Sequence, residues 1–210
     1  MKIKKLTSSN LLELAQEASD YLKRGNAIIY PTDTLYALGV DALNEGAINH
    51  FFSVKKRPAN KPVPLFVKDI EMAGELAFID KRQKKILERA WPGSFTFILH
   101  KRDKVSSRIS AGTQKVGLRI PDNDFAQALL NKFAGPITAS SANISGEPAT
   151  ANPAEISKQF SEYSVTPDYF VDAGILENAM PSMVIDITGK KPQILRMNST
   201  TAQIFKEIIA

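Results

Sequence analysis

Residues 27–39 read AIIYPTDTLYALG, in which a short apolar run leads directly into a cluster of hydroxyl and carboxylate side chains. Four apolar residues in succession, Ala27 to Tyr30, predict a buried strand rather than one with a solvent-exposed face. The polar residues that follow would lie where the strand ends, which is where ligands bind in α/β sheets. The stretch therefore predicts an α/β fold with a ligand site beside this strand.

Helical patterns flank this strand and alternate with further strands along the chain. Apolar spacing predicts a helix after Asn10, with Glu13 completing a capping box, and a second helix over residues 45–54. Asp80 and Gln83 predict another capping box, and Asn152 precedes a proline suited to the first turn of a helix. Further strands are predicted over residues 63–67, 94–100, 116–120, 136–139, 169–171, 183–187 and 193–195, with a last helix over 200–209. We expect one α/β domain over residues 1–210 with a mixed sheet.

The composition excludes several kinds of chemistry. The chain has no cysteine, which excludes disulfides, thiolate metal sites and cysteine nucleophiles. The two histidines, His50 and His100, fall in patterns that favour structural roles, which argues against a zinc site or a serine–histidine triad. No apolar run is long enough to span a membrane, and we expect a cytoplasmic protein. The net charge of +5 suits an anionic partner such as a nucleotide or RNA, although many globular proteins are equally basic.

Three polar clusters carry the candidate chemistry, and each also has a structural interpretation. In the first cluster, the hydroxyls and the carboxylate of residues 32–34 are also typical of a turn. The second, KKRPANKP at 55–62, either clamps phosphates or is the solvated basic end of a helix. The third, SSANISGEP at 140–148, either brings backbone N–H groups to a nucleotide or forms a structural turn. In the absence of a covalent nucleophile, catalysis would depend on positioning and charge neutralisation.

Taken in order, these clusters and several further motifs resemble the threonylcarbamoyl-AMP synthase (YrdC-like) family. The matching pieces are YPTDTLYALG at 30–39, KKRPANKP at 55–62, PGSFTFIL at 92–99, GLRIP at 117–121, SSANISGEPA at 140–149, PSMVID at 181–186 and ILR at 194–196. The K-x-R and S-x-N signature of that family falls on Lys55/Arg57 and Ser141/Asn143. The resemblance covers about residues 10–197, which is nearly the whole chain.

This resemblance implies a fold and an activity. The implied fold is a twisted mixed β-sheet flanked by helices, with a deep, positively charged cavity. The implied nucleotidyltransferase reaction captures bicarbonate or CO2 on the amine of L-threonine as a carbamate, which attacks the α-phosphate of ATP and expels pyrophosphate. Mg2+ is expected with ATP. The product, threonylcarbamoyl-AMP, serves tRNA modification, so the resemblance also implies tRNA-modifying partner enzymes and RNA or tRNA contact through a basic surface.

The resemblance also implies roles for individual residues. Lys55 and Arg57 would be catalytic, and Arg119 would pair with the carboxylate of threonine. No metal ligand is implied. The residues expected to contact ATP are Lys55, Arg57, Lys61, Ser141, Asn143, Arg196 and Lys115. The residues expected to surround threonine are Thr32, Arg119, Ala139 and Ser182.

Three positions depart from the family pattern. Lys115 stands where a small hydroxyl residue is frequent, Ala37 stands where glycine is usual, and Met197 rather than glycine follows the arginine of the last motif. If the strand is regular, Lys115 would share a face with Arg119 and could replace a neutral contact to ATP with a charged one; if the strand starts later, Lys115 would simply be exposed. The departures leave open a diverged relative that binds nucleotide or RNA with weak or different activity. A module that binds RNA without catalysis and the related domain of a larger maturation factor are further alternatives, although 210 residues leave no room for the accessory domains of the latter.

Overall fold

The computed structural model describes residues 1–177, 179–198 and 201–209. Helices and strands alternate along most of this length, which confirms the predicted α/β class. The helices are α1 (Leu11–Lys23), α2 (Glu45–Lys55), α3 (Ile70–Leu76), α4 (Lys81–Ala90), α5 (Asp124–Phe133), α6 (Pro153–Ser161) and α7 (Ala202–Ile209). The strands are β1 (Lys2–Lys5), β2 (Ile28–Tyr30), β3 (Ala37–Gly39), β4 (Leu65–Phe66), β5 (Ala77–Phe78), β6 (Phe95–Lys101), β7 (Lys115–Arg119), β8 (Ile137–Thr138), β9 (Ser140–Ser141), β10 (Tyr169–Asp172), β11 (Met183–Asp186) and β12 (Gln193–Arg196).

The strands form two mixed sheets rather than the single mixed sheet expected from the sequence. A five-stranded sheet has the order β1-β10-β2-β3-β9, with parallel pairing on its β1 side and antiparallel pairing on its β9 side. A seven-stranded sheet has the order β12-β11-β6-β7-β4-β8, and β5 also pairs with β6. The chain passes between the two sheets several times. Polar loops that are distant in sequence are thereby brought to one place.

The central strands of the seven-stranded sheet have one core face and one open face, because successive side chains of a strand point to opposite sides. Phe97 on β6 and Leu118 on β7 are fully buried in the larger hydrophobic core. Their neighbours Thr96 and Gly117 lie on the opposite face and line a cavity. The same alternation along β11 and the residue before it places Ser182 on the cavity side. The regular period of these strands thus decides which residues can reach a ligand.

Helices cover the sheets through apolar side chains at helical spacing. On α2, Ile48, Phe51 and Phe52 are buried in the larger core, as the sequence predicts. Helices α1 and α5 pack on the five-stranded sheet in a second core, to which they contribute Leu22 and Phe125. Fully burying a side chain of this size is worth about 1.5–3 kcal/mol, so these helices are held chiefly by their apolar faces.

The predicted helix caps have mixed outcomes. Asp80 and Gln83 form the complete capping box that the sequence predicts at the start of α4, and the Asn152 side chain accepts from the first turn of α6. The predicted capping box of Asn10 is wrong. Its side chain makes no bond to the start of α1, because its Oδ1 accepts from the Thr7 N–H at 2.8 Å and its Nδ2 donates to the Lys5 carbonyl at 3.0 Å.

Two predicted segments differ in extent from what the sequence indicates. The strand predicted over 63–67 is reduced to Leu65–Phe66, which pairs on both sides, with β7 and with β8. Pro64 therefore marks a strand start rather than a sheet edge. The last helix begins at Ala202, and residue 200, where it was predicted to begin, lies outside the described residues. Within the described part of the chain, no helix has the length and apolar character to cross a membrane.

Candidate functional site

A cavity of about 410 Å³ is lined by residues from both sheets. Seven of the site residues predicted from the sequence line it: Thr32, Arg57, Arg119, Ala139, Ser141, Ser182 and Arg196. They come from the loops after β2 and α2, from β7, from the β8–β9 turn and from β11 and β12 with their flanks. The two sheets therefore assemble both the residues expected around threonine and part of those expected around ATP.

Gly117 keeps the floor of the cavity open. A Cβ at this position would lie 3.2 Å from atoms of Ile98 and Pro64 and 3.3 Å from Thr96. These separations are tighter than ordinary van der Waals contact, so any larger residue would displace the wall of the cavity. The position needs glycine because of the close approach of its neighbours.

Arg119 is a buried cation at one end of the cavity, and only 3% of its surface is exposed. Its Nη2 donates to Asp33 Oδ1 at 2.6 Å, its Nη1 to Thr34 Oγ1 at 3.0 Å and its Nε to the Gly93 carbonyl at 2.9 Å. Burial lowers the pKa of Arg119, and the carboxylate of Asp33 opposes that shift. These three bonds fix the plane of the guanidinium and leave two of its five N–H groups without a hydrogen-bond acceptor among the described residues.

Hydroxyl groups surround this arginine. Thr32 and Thr34 lie 3.0 Å apart through their Oγ1 atoms, and Thr32 donates to the Leu35 carbonyl at 2.7 Å. Across the cavity, Thr96 Oγ1 and Ser182 Oγ are 2.9 Å apart. All four side chains are buried, so their bonds fix the position of each hydroxyl. The result is a small polar pocket that matches a ligand carrying a carboxylate and a hydroxyl.

Two further arginines line the cavity without a carboxylate partner among the described residues. Arg57 donates through Nε to the Lys61 carbonyl at 3.2 Å and through Nη2 to the Pro62 carbonyl at 2.8 Å. Arg196 donates to the backbone carbonyl of Ser182 at 2.8 Å and to its hydroxyl at 3.0 Å. Burial lowers the pKa of both arginines, and the charge of Arg119 adds to this effect on Arg196. Cations whose charge is not compensated attract an anion, and arginine suits phosphate oxygens.

Lys55 is buried behind the cavity wall rather than lining it. Its Nζ donates to the Ser141 carbonyl at 2.6 Å, to the Asn143 carbonyl at 2.9 Å and to Asn143 Oδ1 at 3.0 Å. All three ammonium donors are therefore used within the protein. Burial, followed by the charge of Arg57, lowers the pKa of Lys55 to about 7. Lys55 thus holds in place the loop that carries Ser141. We call these hydrogen bonds between Lys55 and the loop the buried clasp.

Asn143 belongs to the same clasp. Its Oδ1 also accepts from Ser141 Oγ at 2.6 Å, and its Nδ2 donates to the carbonyls of Ile144 and Glu147. The four residues of the K-x-R and S-x-N signature therefore lie in two different places. Arg57 and Ser141 line the cavity, whereas Lys55 and Asn143 lie behind it and hold the loop. The predicted ATP contacts of Lys55 and Asn143 stay predictions.

Lys61 and Lys115 also lie outside the cavity lining. Lys61 is exposed on the loop after α2. Lys115 begins β7, and its Nζ lies 2.7 Å from Asp186 Oδ2 in an ion pair. Asp186 also accepts from the backbone and hydroxyl of Thr188, and the Lys115 contact contributes to the lowered pKa of Asp186. The ATP contacts predicted for the two lysines remain untested.

Three residues of the site were not singled out from the sequence. Asp33 and Thr34 belong to the first polar cluster, but nothing local showed that they would hold a buried arginine 85 or more residues away. Thr96 could have been found from the sequence, because it is the polar residue inside the apolar strand FTFIL. The alternation of side chains along this strand places it on the opposite face from the buried phenylalanines. The described residues contain no group of three or more His, Cys, Asp or Glu side chains placed to hold a metal ion.

Comparison with known families gives a match over most of the chain. The model of the Sua5/YciO/YrdC family, described as "Telomere recombination", matches residues 20–198. The threonylcarbamoyl-AMP synthase of Pyrococcus abyssi is 31% identical over 193 residues, which cover 91% of this chain and 56% of that protein. The threonylcarbamoyl-AMP synthase of Bacillus subtilis is 30% identical over 204 residues, covering 96% of this chain and 58% of that protein. The chain thus spans a little over half the length of these relatives.

Two solved structures are similar to this fold. The crystal structure of P. abyssi Sua5 complexed with L-threonine has a TM-score of 0.90 and 28% identity, and the match covers 100% of this chain and 60% of that one. The crystal structure of Escherichia coli YciO has a TM-score of 0.80 and 26% identity, and the match covers 94% of both chains. The fold is therefore shared both with a protein that binds L-threonine and with a protein of nearly the same length.

Proposed function

The chain belongs to the Sua5/YciO/YrdC family, and from this premise we propose that it makes threonylcarbamoyl-AMP and pyrophosphate from L-threonine, bicarbonate or CO2, and ATP. One observation carries the proposal. A single cavity combines the buried, oriented Arg119 among hydroxyls with two arginines, Arg57 and Arg196, that have no carboxylate partner in the described part of the chain. An amino acid and a polyanion need these two environments side by side.

The threonine site is assigned to the Arg119 end of the cavity. The two N–H groups of Arg119 that are not engaged would donate to the substrate carboxylate, and Asp33 keeps the guanidinium plane fixed. The buried hydroxyls of Thr32 and Ser182 would contact the amine and the hydroxyl of threonine, next to the backbone of Ala139. The L-threonine complex of the P. abyssi relative supports L-threonine as the ligand of this fold.

The triphosphate of ATP is assigned to Arg57, Arg196 and Ser141. In the proposed reaction, the neutral amine of threonine bonds to the carbon of CO2 and its nitrogen releases one proton to water, and the resulting carbamate oxygen attacks the α-phosphorus. The bond from the α-phosphorus to the bridging oxygen of the β-phosphate breaks, and pyrophosphate leaves with the bonding electrons. Arg57 and Arg196 would neutralise charge that grows on the phosphate oxygens, while the cavity aligns the two reactants.

Mg2+ is part of the proposal as the ion that accompanies ATP. The described residues offer no cluster of carboxylates for it, so the phosphate oxygens and water would supply its ligands. The product is a reactive mixed anhydride, so we also propose that tRNA-modifying partner enzymes consume it. Lys55 and Asn143 would act by keeping Ser141 in place, as their bonds behind the cavity wall indicate.

The test follows radiolabelled bicarbonate into an adenylate and measures pyrophosphate at the same time. We expect both products to require L-threonine, bicarbonate and MgATP together. Arg196→Ala should abolish most of the turnover, because it removes one of the two unpaired cations, whereas Lys23→Ala on the exposed end of α1 should retain it. Pyrophosphate release that is independent of threonine and bicarbonate would overturn the proposal.

A second candidate is a diverged member that binds nucleotide or RNA with weak or different activity. It is favoured by the similarity to E. coli YciO, which is 29% identical and matches 87% of this chain and 88% of its own length, whereas the synthases above are matched over little more than half of theirs. The ion pair that holds Lys115, a departure from the family pattern, points the same way. ATP binding without a bicarbonate-derived adenylate would support this second function.

A further inference from the structure

A second groove, separate from the cavity, lies between α4, the turn before β12 and the end of α7. It encloses about 530 Å³ and shares no lining residue with the cavity. Of the eight described residues that line it, none is acidic and five are cations: Lys81, Arg82, Lys85, Arg89 and Lys190. The other three, Ile86, Pro192 and Ile208, form an apolar floor. We call this feature the basic groove.

The two arginines of the basic groove are held by backbone carbonyls. Arg82 donates through Nη2 to the carbonyls of Ile187 and Gly189 at 2.9 Å and through Nη1 to that of Lys190 at 3.3 Å. Arg89 donates to the Ile208 carbonyl at 3.1 Å. Carbonyls orient a guanidinium without cancelling its charge. The groove is therefore built with fixed positive charges.

The lysines of the basic groove have no ion-pair partner in the described ranges of the chain. Lys81 and Lys85 are four residues apart on α4, as are Lys85 and Arg89, so like charges repel along one face of the helix. The one acidic residue of α4, Glu88, pairs instead with Lys84, which does not line the groove. The groove lysines contribute no ion pair to the fold in the described part of the chain, so a ligand of opposite charge is the physical reason that fits their arrangement.

We propose that the basic groove binds closely spaced phosphates, either of a free oligophosphate or of a nucleic-acid backbone. The helical rise of about 1.5 Å per residue spreads Lys81, Lys85 and Arg89 over about 12 Å, which suits a row of anions better than a single one. Arginine and lysine together are the residues that recognise phosphate. Among the described lining residues there is no aromatic side chain for base stacking, so recognition would depend on the phosphates and not on sequence.

The experiment compares two triple variants of the full chain that remove the same charge. Lys81→Ala/Lys85→Ala/Lys190→Ala empties the groove of lysines, and Lys4→Ala/Lys5→Ala/Lys23→Ala removes three exposed lysines elsewhere. Calorimetric titration with inorganic tripolyphosphate forms one arm, and anisotropy titration with a mixed-sequence RNA duplex forms the other. Poly-glutamate serves as the polyanion without phosphate. Arg57→Ala reports binding in the cavity separately.

We expect the groove variant to lose at least tenfold in affinity while the control variant stays within twofold. Loss with tripolyphosphate alone assigns the free oligophosphate as the source. Loss with the duplex assigns the backbone, and there the slope of log affinity against log salt concentration should also fall by up to about three phosphate contacts, one for each lysine removed. Equal losses in both triple variants, no loss in the groove variant, or equally tight binding of poly-glutamate would overturn the proposal. The groove residues lie outside the cavity, so threonylcarbamoyl-AMP synthesis should persist in the groove variant, and the proposal stands or fails independently of that activity.

Discussion

Replacing Lys55 with methionine tests whether the buried clasp positions the loop that carries Ser141. The change keeps an unbranched side chain, shorter by the terminal nitrogen, and removes three hydrogen bonds of 2.6–3.0 Å. The Ser141 carbonyl keeps a bond from the Asn143 N–H, and Asn143 Oδ1 keeps the Ser141 hydroxyl. The Asn143 carbonyl loses the Lys55 ammonium as its donor.

The expected loss of unfolding free energy follows from this inventory. A buried acceptor left without its donor costs about 1–3 kcal/mol, and each acceptor that loses one of two donors adds about 0.5–1.5 kcal/mol. Removing a poorly solvated ammonium, whose pKa is lowered to about 7, offsets part of the cost. We expect a net loss of about 2–3 kcal/mol at pH 7. Urea denaturation followed by circular dichroism measures it, with the exposed Lys61→Met as the matched control.

The same variant has a pH dependence with a defined sign. Because the unfolded lysine keeps its proton to about pH 10.4, the unfolded state binds more protons than the folded state above pH 7. The unfolding free energy of the wild type should therefore rise with pH, relative to Lys55→Met, by about 1.4 kcal/mol between pH 6 and pH 8. The clasp would be refuted if the difference in unfolding free energy between the two proteins were constant from pH 6 to pH 8. It would also be refuted if Lys55→Met lost less than about 0.5 kcal/mol of unfolding free energy.

Three further predictions concern the cavity. Arg57→Lys keeps the charge but loses the planar guanidinium that donates to the Lys61 and Pro62 carbonyls, so kcat/KM should fall at least tenfold with little change in Tm. Wild-type activity in Arg57→Ala would show instead that this loop is only a solvated helix end. Lys115→Thr should leave ATP affinity within about twofold and lower the unfolding free energy by less than about 1 kcal/mol, because the lysine is half exposed and paired with Asp186. A tenfold loss of ATP affinity at low salt would place Lys115 in the ATP site. L-Serine should be a substrate in place of L-threonine, but its kcat/KM should be about tenfold lower, since one buried methyl group is worth about 1 kcal/mol. Equal rates of pyrophosphate release with both amino acids would contradict this.

Much of the local structure follows from the sequence alone. Apolar periodicity is a local property, so it predicted most of the helices and strands, including α2, β6 and β7. The box of Asp80 and Gln83 needs only four consecutive residues and was predicted correctly. Asn10 shows where local reasoning fails, because its side chain could bond either the helix or the preceding loop. Two local partners of similar energy cannot be ranked from the sequence.

The sequence by itself determined the α/β class through local apolar patterns, and its resemblance to a known family singled out seven residues that line the cavity. The tertiary structure decided which of the candidate cations are available to a ligand. Arg119 and Lys115 are each tied to a carboxylate brought from 86 and 71 residues away, and Lys55 is buried behind the wall. Arg57 and Arg196 have only carbonyl and hydroxyl partners on the described residues. Burial and charge compensation depend on which distant side chains meet, and no local pattern contains that information.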